Sequence, residues 1–287
     1  MISSLFYKLG ASLAGRLPVE FSEHVTTALS RSQYYMRDRS RRNVLRNTSL
    51  AMAGAADEEV RRTARDVFDN FGRSIYSFLR LPYISPVELR AGCDYSGIDA
   101  VTADLRLRGG FVFAGPHVGP WEMAGACLNA LGLKIHTVAF DHPSPRVTKF
   151  FDQRRSMAGI VCHPVGNSFP VLCEVLERGE CVALLIDRTY GKTRRSFTMF
   201  GRSVGLPSGH AALAVRCRVP ILTTACVFRD DGGLKFVFRG PHYPNLERGE
   251  EAAFEDLHRR CRADMEEFIA AFPGQWFHFT EFGEDQS

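Results

Sequence analysis

The chain has 287 residues, of which 45% are hydrophobic and 24% charged, and its net charge at pH 7 is +4. This composition is ordinary for a globular protein, and the length is sufficient to bury a sizeable core. A nucleic-acid binder would need a denser basic stripe with interleaved aromatic side chains, so we expect no nucleic-acid partner.

The first seventeen residues carry apolar side chains at helical spacing but lack the apolar core and small-residue cleavage site of a signal peptide. The apolar positions are Ile2, Leu5, Phe6, Leu9 and Leu13. Such a stripe can lie on a membrane surface or pack on the protein's own core, and the sequence leaves both readings open. No run in the chain approaches the ~18–20 continuous apolar residues of a spanning helix.

Up to about Pro82 the pattern is helical throughout. Acidic residues at positions 57–59 suit the first turn of a helix, a periodic apolar run extends from them to Leu79, and Pro82 ends the run. No linker rich in Gly, Ser or Pro follows. We therefore expect a single domain, 1–287, in which a helical section (1–85) packs on an α/β core (86–287).

From about Cys93 onward, short apolar runs alternate with helical patterns, which is typical of a sheet with helices packed on it. We expect an α/β fold with a mixed, mostly parallel sheet flanked by helices. The predicted strands are 111–114, 135–140, 181–186, 221–228 and 234–238. The predicted helices are 121–131, 145–157, 169–178, 208–216 and 251–272.

The eight cysteines are scattered without C-x-x-C spacing, and several lie inside apolar runs. This favours buried free thiols in a reducing compartment over a disulfide framework. Cys162 and His163 are adjacent, but no second pair has a spacing that would complete a zinc site. We expect no metal and no cofactor.

A histidine follows the first predicted strand of the core, and a glutamate lies five positions later at the start of a helix. Strand ends that lead into helix N-termini are where open α/β sheets place their chemistry. A carboxylate from Glu122 on one ring nitrogen of His117 would leave the other nitrogen to take a proton from a hydroxyl. Backbone N–H groups at the helix start could then stabilise an oxyanion. The alternative is a capping histidine and a first-turn glutamate favoured by the helix dipole.

A basic loop at positions 192–195 (KTRR) lies between two predicted sheet elements. It could contact an acidic carrier protein or anionic lipid headgroups, and a merely solvated loop is the alternative.

Residues 115–122 (GPHVGPWE) resemble the H-x-x-x-x-D/E signature of glycerolipid acyltransferases. More closely, they resemble the bacterial lipid A late acyltransferase family of lauroyl and myristoyl transferases, together with the related phosphatidylinositol mannoside acyltransferases. Further segments resemble blocks of that family in the same order. They are 153–156 (QRRS), 176–180 (LERGE), 184–188 (LLIDR), 200–202 (FGR), 206–209 (LPSG) and 272–276 (FPGQW).

The resemblance implies transfer of a fatty acyl chain from an acyl-carrier-protein or coenzyme A thioester to a hydroxyl of a lipid or glycolipid. His117 would be the general base and Glu122 its orienting partner. The resemblance also implies a peripheral protein on the cytoplasmic face of the inner membrane, with a membrane lipid as acceptor.

Four more residues are candidate substrate-binding groups. The resemblance implies that Arg154 acts on a phosphate or on the active-site carboxylates, and that Asp187 is an acidic site residue at a strand's carboxyl end. Arg155 and Arg188 are adjacent candidates, because a guanidinium matches phosphate geometry. The alternatives are a solvated helix face for Arg154 and Arg155, and a surface ion pair for Asp187 and Arg188.

The chain departs from the lipid A enzymes at both ends. Its N-terminal segment is amphipathic where theirs begins with a longer apolar anchor helix, and positions 277–282 (FHFTEF) stand where they carry a basic segment. The acceptor therefore stays open. Enzymes of the same chemistry acting on phospholipids, mannolipids or secondary metabolites, and a non-catalytic lipid-binding relative, are the alternatives.

Overall fold

The computed structural model describes Arg16 and residues 18–140, 142–188 and 195–283. The amphipathic stripe of the first seventeen residues and most of the basic loop at 192–195 lie outside the described residues. Among the residues described, no helix combines the length and the apolar character needed to cross a bilayer.

From residue 18 onward, the N-terminal section contains α1 (Val19–Met36), α2 (Asp38–Ala51) and α3 (Asp57–Arg80). The acidic first turn of α3 is present as predicted, and a 3-10 turn containing Pro82 follows the last residue of the helix. A short α4 (Pro86–Ala91) begins at Ser85, whose hydroxyl accepts from the Glu88 N–H while the Glu88 carboxylate accepts from the Ser85 N–H. This reciprocal capping satisfies two N–H groups that the helix itself cannot.

The remaining elements are strands and helices that alternate up to β5, after which consecutive strands also occur. In order they are β1 (Cys93–Asp94), α5 (Ile98–Arg108), β2 (Phe111–Gly115), α6 (Trp121–Ala130), β3 (Ile135–Ala139), α7 (Pro145–Met157), β4 (Ile160–Pro164), α8 (Ser168–Glu177), β5 (Cys181–Leu185), β6 (Arg195–Met199), β7 (Arg202–Leu206), α9 (Gly209–Cys217), β8 (Ile221–Phe228), β9 (Leu234–His242) and α10 (Glu250–Ala271). The predicted mixed, mostly parallel sheet with a helical section before it is confirmed.

Seven strands form one sheet in the order β1-β9-β8-β2-β5-β3-β4. The five strands from β8 to β4 are parallel, whereas β9 runs antiparallel to β8. The chain leaves β2 toward β3 on one side and later reaches β8 on the other. The middle of the sheet is therefore a switch point, and open α/β sheets bind ligands beyond the carboxyl ends of the strands there.

Strand β2 shows how the sheet divides the core. Its side chains alternate between two apolar clusters, Phe111 and Phe113 on one face and Val112 and Ala114 on the other. This is the two-residue period of a strand buried on both faces. Helices α3 to α6 contribute to the first cluster, and α8 to α10 contribute to the second.

Four of the described strands, β1, β4, β6 and β7, were not predicted from the sequence. The antiparallel hairpin of β6 and β7 and the two-residue β1 carry few consecutive apolar residues. Strand β4 ends in Cys162, His163 and Pro164, which concealed its apolar start. It is nevertheless a parallel edge strand paired with β3.

Candidate active site

The two central strands bring a histidine and an aspartate together. Strands β2 and β5 are parallel neighbours in register, with Gly115 opposite Leu185. His117 and Asp187 each lie two residues beyond their strand. The register therefore places both at the same carboxyl edge, at the centre of the sheet.

His117 is held by both oxygens of Asp187. Its Nδ1 lies 2.5 Å from Oδ1, and its backbone N–H donates to Oδ2 at 3.0 Å. A third donor, the indole Nε1–H of Trp276, reaches Oδ2 at 2.9 Å. The Asp187 side chain is completely buried. Because a carboxylate only accepts hydrogen bonds, Nδ1 carries the proton and Nε2 keeps a free lone pair.

Charge and burial keep this pair in one protonation state. Burial raises the pKa of Asp187, but His117 and Arg188 more than offset this effect and hold that pKa below its usual range. Burial and the positive charge of Arg188 lower the pKa of His117 by more than Asp187 raises it. At neutral pH the imidazole is therefore uncharged and able to accept a proton.

The turn that carries His117 lies directly on strand β8. A Cβ added at Gly115 would come within 2.0 Å of the Thr224 carbonyl oxygen, and one at Gly119 within 2.0 Å of the Cys226 carbonyl oxygen. Gly119 also has a φ of +63°, a region that other residues rarely adopt. The glycines on either side of His117 are thus required by close backbone contact.

A C-terminal segment lines the other side of this turn. Val118 and Trp276 form an antiparallel bridge, the Gly119 N–H donates to the Gln275 carbonyl at 2.9 Å, and the Phe277 N–H donates to the His117 carbonyl at 2.9 Å. The side chain of Gln275 also exchanges two hydrogen bonds with the backbone of Phe228. The segment therefore positions the indole of Trp276 against Asp187.

The structure corrects the expectation for Glu122. The carboxylate at Nδ1 of His117 belongs to Asp187, whereas Glu122 is paired with Arg155 through contacts of 2.6 Å and 3.1 Å. Glu122 lies in the first turn of α6 and its side chain extends toward α7. The guanidinium of Arg155 is engaged in this partly buried ion pair with Glu122, and it is therefore not free to bind a phosphate.

Arg154 also differs from expectation. It is only 9% exposed, its Nη1 donates to the Leu79 carbonyl, and its guanidinium lies over the rings of Phe150 and Tyr83 at 5.0 Å and 6.0 Å. Adjacent helical residues point about 100° apart, so Arg155 faces Glu122 while Arg154 packs α7 on the end of α3. Arg154 is a packing residue and does not line the site.

Arg188 directly follows Asp187 and lines the same cavity as His117. One of its Nη atoms donates to the Phe277 carbonyl, whereas its Nε is buried and has no acceptor among the described residues. A positive group next to the imidazole is thus held in place with one donor uncommitted.

An apolar cavity of about 690 Å³ adjoins His117. His117, Trp121, Glu122, Arg155 and Arg188 all border it, and most of its remaining lining is apolar. Representative lining residues are Leu128, Val138, Ile160, Leu172, Leu184 and Leu213. Trp121 contacts the imidazole edge to face, with ring centroids 4.9 Å apart. The cavity can hold a long hydrocarbon chain next to the base.

Trp276 was not among the predicted site residues, although it lies in the 272–276 segment that resembles a family block. An indole donor to a buried carboxylate cannot be inferred from spacing, because Asp187 and Trp276 are 89 positions apart.

A mostly parallel α/β sheet, a histidine hydrogen-bonded to a buried aspartate at its carboxyl edge and an apolar cavity beside them together form a candidate active site. The family of bacterial lipid A biosynthesis acyltransferases matches residues 3–281. The chain therefore belongs to this family.

Several proteins similar to this chain are named as acyltransferases. Phosphatidylinositol mannoside acyltransferases of Mycobacterium tuberculosis strains CDC 1551 / Oshkosh and ATCC 25618 / H37Rv are each 32% identical over 218 residues. These alignments cover 72% of this chain and 66%, just under two thirds, of those proteins. A phosphatidylinositol mannoside acyltransferase of Mycolicibacterium smegmatis is 26% identical over 287 residues, covering 96% of this chain and 89% of that protein.

Proposed function

We propose that this chain transfers a fatty acyl group from a thioester donor, acyl carrier protein or coenzyme A, to a hydroxyl of a membrane glycolipid. His117 is the general base and Asp187 the residue that orients it. The observation that carries this proposal is the 2.5 Å contact between His117 Nδ1 and a fully buried Asp187 at the edge of an apolar cavity.

The reaction follows from this geometry. Nε2 of His117 takes the proton of the acceptor hydroxyl while that oxygen attacks the thioester carbonyl carbon. The carbon–sulfur bond of the resulting tetrahedral intermediate breaks, and the imidazolium gives its proton to the leaving thiolate, which departs as a thiol and leaves His117 neutral again. Asp187 stabilises the imidazolium between these two steps.

Arg188 is proposed to stabilise negative charge in the same reaction. Its guanidinium is fixed by the Phe277 carbonyl next to the imidazole, and its Nε has no acceptor within the part of the chain that the structure describes. A fixed cation in a site that excludes water stabilises a developing oxyanion or a donor phosphate without reorganisation. The Glu122–Arg155 pair would shape the cavity wall beside the reacting hydroxyl.

The acceptor follows from chemistry and from the relatives together. A glycolipid offers a sugar hydroxyl to the base and keeps its own chains in the bilayer, and the mycobacterial relatives are named for a mannolipid. We therefore favour a phosphatidylinositol mannoside over lipid A, and we place the protein peripherally on the cytoplasmic face of the inner membrane.

The experiment presents acyl carrier protein and coenzyme A thioesters separately to a phosphatidylinositol mannoside and to a lipid A precursor, with mass spectrometry of the products. Acylated mannolipid is the expected product. Acylation of the lipid A precursor alone would reassign the acceptor, and absence of product from every combination would favour a non-catalytic lipid binder.

The pH dependence should report His117. The base works only when neutral, and burial and Arg188 lower its pKa, so kcat/KM stays level as pH falls through 6.5 and declines only below that value. Replacing Arg188 with glutamine removes one cause of the lowering, so the acid limb should move to higher pH. An acid limb already centred above 6.5 in the wild type would contradict this assignment.

The Trp276 indole should affect kcat by holding the carboxylate of Asp187 in position. Trp276→Phe keeps an aromatic ring but removes the 2.9 Å hydrogen bond to Oδ2, and we expect kcat to fall about tenfold, as for loss of one hydrogen bond to a charged group. Steady-state kinetics with the favoured acceptor measures this loss. An unchanged kcat would show that the backbone N–H of His117 alone suffices to hold the carboxylate.

A further inference from the structure

Helix α1 packs on the protein through small and polar side chains and through Tyr34, which is buried against Phe68 of α3. Ser22 and Ser30 are buried, and the Ser30 hydroxyl donates to the Phe68 carbonyl of α3 at 2.5 Å. A Cβ at Gly72 of α3 would lie 2.8 Å from the Thr26 carbonyl oxygen and 2.9 Å from the Ser30 Cβ. Small residues on both helices thus allow their backbones to approach closely.

The opposite side of α1 is apolar and faces outward. Its large apolar residues are between 42% and 79% exposed; they are Phe21, Val25, Leu29, Tyr35 and Met36. At about 100° per residue these five fall within an arc of about 120°, which also contains Ala28 and Ser32. We call this set the outer face of α1.

Apart from Tyr34, the polarity of α1 is therefore inverted. An ordinary surface helix buries its apolar stripe and exposes its polar residues, whereas α1 buries Ser22 and Ser30 and exposes Phe21 and Leu29. Single exposed apolar residues are common, but five large ones on one side of a helix mark an interaction surface.

Positive charge adjoins the outer face at its C-terminal end. Between residues 31 and 46 the chain carries six arginines and one acidic residue, Asp38. Arg37 and Arg39 are exposed and form no ion pair with any residue that the structure describes. A second copy of this chain docked with the two α1 helices parallel would bring two such clusters together, which is unfavourable. An anionic lipid surface offers both the apolar layer and the opposite charge.

We infer that the outer face of α1, with Arg37 and Arg39, docks on an anionic lipid bilayer. The inference rests on the proposed function only in that the acceptor is a membrane lipid. Because vesicle binding needs no acyl donor, its failure is distinguishable from a failure of acyl transfer, which is measured separately with detergent-dispersed acceptor.

The experiment measures binding of the full chain to vesicles of phosphatidylcholine alone or mixed with phosphatidylglycerol. The variant Phe21→Ser/Val25→Ser/Leu29→Ser should bind mixed vesicles on the order of 100-fold more weakly, since three apolar side chains lose their burial. The matched control is Val87→Ser/Leu107→Ser, which changes residues that are 74% and 89% exposed on other helices, and it should bind as the wild type does.

A separate variant tests the contribution of Arg37 and Arg39 to binding of anionic vesicles. Arg37→Ser/Arg39→Ser should weaken binding to the mixed vesicles about tenfold or more and leave binding to pure phosphatidylcholine unchanged. Added salt should reduce the difference between wild type and variant.

Thermal unfolding and the oligomeric state in solution show whether something other than a bilayer covers the outer face of α1. The serine variants should keep the wild-type unfolding midpoint and oligomeric state, because the replaced side chains face solvent in the free protein. A lowered midpoint with unaltered vesicle binding would mean that the chain's own N-terminal segment covers the face, and loss of a dimer would mean that a second copy does. Either result overturns the inference, as does wild-type vesicle binding by Phe21→Ser/Val25→Ser/Leu29→Ser or by the single variant Leu29→Ser.

Discussion

Replacement of His117 with alanine lowers the rate of acyl transfer by about a thousandfold, because the acceptor hydroxyl loses the group that takes its proton. The fold should persist. Asp187 keeps two donors, the backbone N–H of residue 117 and the Trp276 indole, and the imidazole borders a cavity. Single-turnover transfer of a labelled acyl group measures the loss, and thermal unfolding measures the stability.

The chain provides a matched control for this variant. His242 and Asp264 form a second histidine–aspartate pair, with Nε2 and Oδ2 2.6 Å apart, and neither residue lines the cavity. His242→Ala removes the same kind of contact elsewhere and should leave the rate close to that of the wild type. Wild-type transfer by His117→Ala would remove the general-base assignment.

Replacement of Asp187 with asparagine should cost about 100-fold to 10,000-fold in kcat, although the side chain keeps its shape. Oδ2 of Asp187 accepts from two donors, the His117 backbone N–H and the Trp276 indole. The amide oxygen must take that place, which turns the amide NH2 toward Nδ1. The imidazole then carries its proton on Nε2 and cannot accept one from substrate.

Asp264→Asn is the corresponding control, since it changes the second pair in the same way. We expect it to keep wild-type kcat. If Asp187→Asn also kept wild-type kcat, the carboxylate would have no part in orienting the base.

Much of the fold followed from local pattern. Helix α7 and strand β8 have the predicted bounds because their apolar periodicity ends at clear breaks. Strand β4 was missed because its second half is polar and its stability comes from pairing with β3. A strand that is stabilised mainly by pairing with an adjacent strand need not show an apolar pattern in its own residues, so it is hard to predict from sequence.

The sequence identifies the candidate site residues but does not show which of them contact one another. His117 and Asp187 were both candidates, but their contact depends on β5 lying next to β2, which is a matter of strand order and register. Glu122 is close to His117 in sequence, and that nearness made it the expected partner. Arg154 and Arg155 are adjacent, and only the packing of α7 decides which one faces the cavity.

The protonation of His117 tests the central claim most directly. Nitrogen NMR of the full chain with isotopically labelled histidine, assigned among its nine histidines by comparison with His117→Gln, shows which ring nitrogen carries the proton. We predict a proton on Nδ1 at neutral pH, lost from that position in Asp187→Asn and retained in Glu122→Gln. A wild-type proton on Nε2, or a signal that survives Asp187→Asn and disappears in Glu122→Gln, would contradict the assignment of Asp187 as the residue that orients the base.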